Sequence, residues 1–122
     1  MRLVITLFVL TLSVPVWSAD PVTKPARITH PASPGEYYPA ESVKRREEGA
    51  PIVKVCIGPT GKLLRDPVVT ETSGFPELDN AAVRLAKSTR YAAGTDESGA
   101  DLSESCIEYS VTFKIGRRGA QP

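Results

Sequence analysis

Two cysteines, one histidine and a serine–aspartate pair are the residues of this 122-residue chain whose chemistry could reach beyond packing. Cys56 and Cys106 carry no C-x-x-C spacing, so neither a redox-active dithiol nor a metal knuckle is indicated. As the only two cysteines they predict one disulfide, Cys56–Cys106, which would close a loop of about 50 residues. The chain-entropy gain for that size is ~4 kcal/mol, less any strain. His30 lies among prolines, and neither Ser73 nor Asp79 has a histidine near it in sequence. A nucleophile with no base is better read as a turn residue, and Asp79 as an acid in the first turn of a helix. Gly58-Pro59-Thr60-Gly61 has two glycines but no Lys-Ser/Thr after them, so a hairpin turn accounts for it better than a phosphate loop. Lys44-Arg45-Arg46 offers an anion site, yet Glu41, Glu47 and Glu48 dilute it to a solvated helix face. No catalytic residue, metal ligand or cofactor is expected.

Charge and compartment narrow the partners. The chain has 15 basic and 14 acidic residues. Arg2 is the only charged residue before Asp20, so removing the first 19 leaves 14 of each sign (15 − 1 = 14 basic). That balance gives no electrostatic case for nucleic acid or for anionic lipid. Leu3 to Trp17 is almost wholly apolar, interrupted by Thr6, Thr11, Ser13 and Pro15, with small residues at Ser18 and Ala19. It reads as a secretory signal peptide over residues 1–19, and a periplasmic location follows; the alternative is an uncleaved inner-membrane anchor. Export also suits a disulfide.

The elements that must position these residues follow from spacing. Residues 20–35 hold Pro21, Pro25, Pro31 and Pro34 without apolar periodicity, and predict an extended linker with little structure of its own. At 3.1 Å per residue its reach is about 50 Å. Pro39 suits the start of a short helix and Gly49 its stop, with Glu41 and Arg45 as an i,i+4 pair. A strand is expected over residues 50–57, with Val53, Val55 and Ile57 on one face and Ile52, Lys54 and Cys56 on the other. The turn at Gly58 then returns a second strand over residues 63–72, at an edge or bulged near Pro67. Leu78, Ala81, Ala82, Leu85 and Ala86 make the apolar stripe of a main helix that begins close to Pro76 and ends around Thr89 to Tyr91. A loop over residues 92–104 leads to a last strand, residues 105–115. There Ile107, Tyr109, Val111, Phe113 and Ile115 alternate with Cys106, Glu108, Ser110, Thr112 and Lys114.

Parity joins the pieces. Both cysteines fall on the face of their strand opposite the apolar one, and a cross-strand bridge needs them on one face. If the first and last strands are antiparallel neighbours, Cys56 meets Cys106. The expected fold is α+β: a two-layer sandwich with a three-stranded antiparallel sheet in the order second–first–last, a short N-terminal helix and the main helix on one face. The domain is placed at residues 36–116, with a tail at 117–122.

Over residues 37–115 the chain resembles the C-terminal domain of TonB-type energy transducers. The resemblance rests on ordered pieces: Tyr38-Pro39, Glu48-Gly49 before an alternating strand, Gly58-Pro59-Thr60-Gly61, Thr72-Ser73-Gly74, Leu78-Asp79 with Ala81-Ala82, and Val111 to Ile115. It implies a periplasmic protein-binding domain associated with TonB-dependent outer-membrane transport, without a cofactor or small-molecule substrate. In that family the last strand captures a receptor segment, the TonB box, by β-strand addition. Carried onto this sequence, the contact residues are Tyr37, Tyr38, Pro39, Glu108, Tyr109, Ser110, Val111, Thr112 and Phe113. Departures from the family pattern are the short linker, one extra residue near Asp66-Pro67, and Tyr91-Ala92-Ala93 where Phe-Lys-Pro is common. They leave the fold more secure than energy transduction. The alternative is a structural or regulatory envelope protein that kept the fold and forms a homodimer.

Overall fold

A computed structural model of the chain describes residues 24–116, together with Ser13. The expected signal peptide (1–19), the first four linker residues and the tail (117–122) lie outside the described residues. Among the described residues no helix is long and apolar enough to cross a membrane.

The architecture is α+β, with one three-stranded and one two-stranded antiparallel sheet. In chain order the elements are β1 (Arg27–His30), α1 (Pro34–Tyr37), α2 (Ala40–Lys44), β2 (Ile52–Ile57), β3 (Val68–Glu71), α3 (Pro76–Ser88), β4 (Arg90–Ala92) and β5 (Ser105–Ser110). β3 and β5 flank β2 in the larger sheet, and β1 pairs with β4 in the smaller.

Alternation decides what the large sheet buries. Val53, Val55 and Ile57 from β2 join Val111 and Phe113 just beyond β5 and Leu78, Ala81, Ala82, Leu85 and Ala86 of α3 in a single core. α3 begins at Pro76, where the missing proline N–H costs nothing, and its stripe of small and branched residues lies close on the sheet. Each large side chain so buried contributes roughly 1.5–3 kcal/mol. Lys54 and Glu108 stand on the other face, exposed. Cys56 shares that face yet is buried, bridged to an exposed Cys106 with an S–S distance of 2.02 Å.

Several sequence expectations change. Residues 20–35 are not wholly linker: Pro25 and Pro31 bracket five residues with free amides, and tertiary pairing with β4 makes the last four of them, Arg27–His30, into β1. Lys24 and Thr95 extend that contact through reciprocal backbone hydrogen bonds of 3.4 and 2.9 Å. The short helix expected after Pro39 is α2, and a further turn of helix, α1, precedes it, with Tyr38 and Pro39 extended between the two. Gly49 does not stop α2. Arg46 does, in the left-handed conformation (φ 56), with its amide on the Val43 carbonyl and the Glu47 amide on the Ser42 carbonyl, a Schellman end. Glu41 pairs with Lys44 (3.4 Å), while Arg45 turns to Glu77 (3.5 Å) and Glu47 (3.8 Å). The second strand shortens to β3, with a register shift opposite Ile52 and Val53. Regular pairing in β5 stops at Ser110, although Phe113 still bridges Gly49.

Candidate functional site: the outer edge of the last strand

The candidate site is a backbone edge, and its geometry follows from the β2–β5 register. Ile52 lies opposite Ser110, Lys54 opposite Glu108 and Cys56 opposite Cys106. In an antiparallel ladder, paired residues alternate between exchanging both hydrogen bonds and exchanging neither. The Phe113 amide donates to the Gly49 carbonyl at 2.8 Å, the Gly49 amide returns to Phe113 at 3.0 Å, and Val111 donates to Pro51 at 2.9 Å. Odd-numbered residues therefore bond inward to β2. Cys106, Glu108, Ser110 and Thr112 turn their N–H and C=O groups outward, where β5 ends the sheet. Among the described residues none of those groups enters a turn, loop or cap hydrogen bond. The open edge spans about 20 Å at the usual strand rise.

That alternation divides the sequence-predicted residues. Cys106, Glu108, Ser110 and Thr112 are exposed and present the edge. Val111 and Phe113 are 2 % and 1 % exposed, and their own amides serve the inner ladder, so neither can face a guest. Tyr109 is half-buried, its hydroxyl 2.7 Å from that of Tyr91. Because the Tyr91 hydroxyl donates to the Ala86 carbonyl (2.9 Å), the Tyr109 hydroxyl is the donor between them. Burial first, then the neighbouring Tyr109, push the Tyr91 phenol far above its ordinary range.

Tyr38 belongs to a second part of the set. Its ring stands edge-on to Phe113 with centroids 5.3 Å apart, and its hydroxyl donates to the Glu47 carbonyl. Burial, then the charges of Glu48 and Glu47, raise its pKa. Tyr37 and Pro39 are half-buried beside it. Tyr38 thus fixes the extended segment before α2 to the residue that continues β5.

The residues with possible chemistry are otherwise engaged. The Ser73 hydroxyl donates to Asp79 Oδ1 at 2.7 Å, and the Ser73 amide adds a bond of 2.8 Å. Burial raises the Asp79 pKa, but hydrogen bonds from Thr72 and Ser73 outweigh it and hold the carboxyl below its usual range. His30 sits in β1 with its ring 3.3 Å from the Thr29 hydroxyl, and among the described residues the Ser73 hydroxyl hydrogen-bonds only to Asp79 and the Phe75 backbone. Cys56, Cys106 and Glu104 have ligand atoms within 4.8 Å of one another, but the sulfurs bond each other and Glu104 pairs with Arg65. An open cleft of about 420 Å³ by β4, lined by Lys24, Arg27, Asp96 and Asp101 among others, mixes both charges.

Comparison with known proteins supplies the family. Residues 34–115 match the family described as Gram-negative bacterial TonB protein C-terminal. The chain belongs to it. No curated protein and no solved structure matches the chain. Membership in the TonB C-terminal family makes this a TonB-like domain tied to transport at the bacterial envelope, in a family whose role is interaction with envelope proteins rather than catalysis.

Proposed function

We propose that this TonB-like domain works in the periplasm, in or near TonB-dependent transport, and captures an extended segment of an outer-membrane receptor or other envelope protein by adding it to the outer edge of β5. The α+β domain then serves as a support whose last strand is left outermost. One observation carries this: the amides and carbonyls of Cys106, Glu108, Ser110 and Thr112 face outward from the last strand of the sheet and, among the described residues, meet no further strand. Strand addition satisfies such groups with main-chain bonds, and side chains flanking them select the guest. Tyr37, Tyr38 and Pro39 lie on the segment tied to the end of that strand and would flank the guest. Titrating TonB-box peptides into isotope-labelled protein tests the proposal: amide shifts at Glu108, Ser110 and Thr112 should exceed those at Ile107 and Val111. Silence along the whole strand with every peptide would rule out the edge.

A second occupant is a second copy of the chain. In a two-fold antiparallel pairing centred on Val111, Ser110 faces Thr112, and Glu108 faces Lys114, of the other copy, so unlike charges meet on both sides. Sedimentation separates the two: a tight dimer that Glu108→Lys dissociates favours self-pairing over receptor capture.

A further inference from the structure

The Cys56–Cys106 bridge joins β2 to the strand that carries the open edge, and it does so at a pair where the Cys106 amide faces outward. Its two ends differ. Cys56 is 6 % exposed, whereas Cys106 is exposed. Thiol–disulfide exchange requires a thiolate to reach one sulfur, and access, together with the leaving group, decides which; the exposed residue of the pair is Cys106. Glu104, close to both sulfurs, would repel an incoming thiolate if it stood alone, but Arg65 neutralises it. One residue before Cys106, the buried Ser105 hydroxyl accepts the Gly94 amide at 3.0 Å, so the start of β5 is held by this bond and the bridge together.

We propose that Cys106 is a thiol-exchange site and that its redox state sets whether β5 is held as a docking edge. The second half rests on the strand-addition reading; the first does not. The reactant is an external dithiol. Its thiolate attacks Cys106 Sγ, the Cys56–Cys106 bond breaks, and Cys56 leaves as a thiolate that takes a proton. The reductant's second thiol then attacks the mixed disulfide and releases Cys106, also protonated. Two electrons and two protons have moved from the dithiol to the bridge, and the reductant has become a disulfide. Without the bridge, the chain between Cys56 and Cys106 is closed only by non-covalent pairing, and the first half of β5 frays more readily.

Three measurements on the full chain test this. Oxidised protein is exposed to glutathione, quenched with N-ethylmaleimide and mapped by mass; glutathione should sit on Cys106 and maleimide on Cys56. Amide hydrogen exchange at Ile107 and Tyr109, which bond inward to β2, should quicken at least tenfold on reduction. Affinity for a TonB-box peptide should fall at least tenfold. Glutathione on Cys56 in place of Cys106 overturns the assignment of the attacked sulfur. Unchanged exchange rates, or equal peptide affinity in the two redox states, overturn the control of the edge. If no peptide binds either state, strand addition is wrong, and the adduct map and exchange rates still decide the thiol site and the clamp.

Discussion

Gly49 and Arg46 show how residue type and backbone task can be mismatched three positions apart. A Cβ on Gly49 would lie 2.7 Å from the Ser73 Cβ and 3.1 Å from its carbonyl oxygen, at the point where residue 49 also pairs with Phe113. Backbone sits there, so relief requires moving the ladder. Gly49→Ala should therefore cost about 1–3 kcal/mol, the usual range for overpacking, read by urea unfolding. Arg46 is the converse, an L side chain in the left-handed region on an exposed helix end. Arg46→Gly should stabilise by about 1 kcal/mol, since the left-handed penalty of roughly 1–2 kcal/mol is only partly offset by the freer unfolded chain. An Arg46→Gly variant less stable than the parent would show that the Arg46 side chain makes a contribution its exposure conceals.

Asp79 sets a pH dependence at the same scale. Its carboxyl is held below the ordinary value by Thr72 and Ser73, so the folded state binds this proton less tightly than the unfolded chain. The stabilisation it gives is complete above the unfolded pKa of about 3.9. It is lost as pH falls through the lower, folded value. Asp79→Asn should lower stability at pH 6 and flatten the decline between pH 4 and pH 2.5. Denaturation midpoints at these pH values check both, and an unchanged slope would place the acid sensitivity elsewhere.

Among the elements, β5 makes the sharpest demand because inward and outward amides have different duties. Proline removes an N–H, which matters only where the N–H is used. Ser110→Pro deletes an outward donor and leaves the β2 ladder whole. It should abolish peptide capture while costing the fold no more than about 1–2 kcal/mol, with φ adjusting at an edge. Tyr109→Pro deletes an inward donor, and should lose about 3 kcal/mol or more. Paired thermal unfolding and peptide titration distinguish them. If Ser110→Pro still binds with parental affinity, strand addition at this edge is not the binding mode.

The same strand explains what was legible in the sequence. Ile107, Tyr109, Val111 and Phe113 could be assigned a face because period two survives any small error in strand length. The Cys56–Cys106 register then followed from parity. β1 could not be read, since Ile28 is the one strong apolar residue between Arg27 and His30 and the strand exists only through its partner β4. β4 was hidden in turn: Tyr91 looked like the end of a helix, whereas α3 closes at Ser88 and Tyr91 returns its hydroxyl to Ala86. Tertiary pairing overrides local pattern most easily in strands of three or four residues.

At the scale of the whole molecule, β1 carries the packing N-terminal of residue 36, at least as far as Lys24. Lys24 exchanges backbone hydrogen bonds with Thr95, Ala26 is buried in the core, and β1 covers β4. At most residues 20–23 lie between Lys24 and the apolar N-terminal stretch, and four residues span at most about 14 Å. An uncleaved N-terminus would hold the domain against the membrane, unable to span toward a distant receptor unless β1 were pulled off. A cleaved one frees the domain to diffuse to its partner. Two mass measurements decide between these arrangements. Protein recovered from the periplasm should lack its first 18 or 19 residues, and limited digestion with a non-specific protease should leave a resistant fragment that begins at or before Lys24. A fragment beginning near residue 36 would mean that β1 is not held, and would return the longer linker with its reach of about 50 Å.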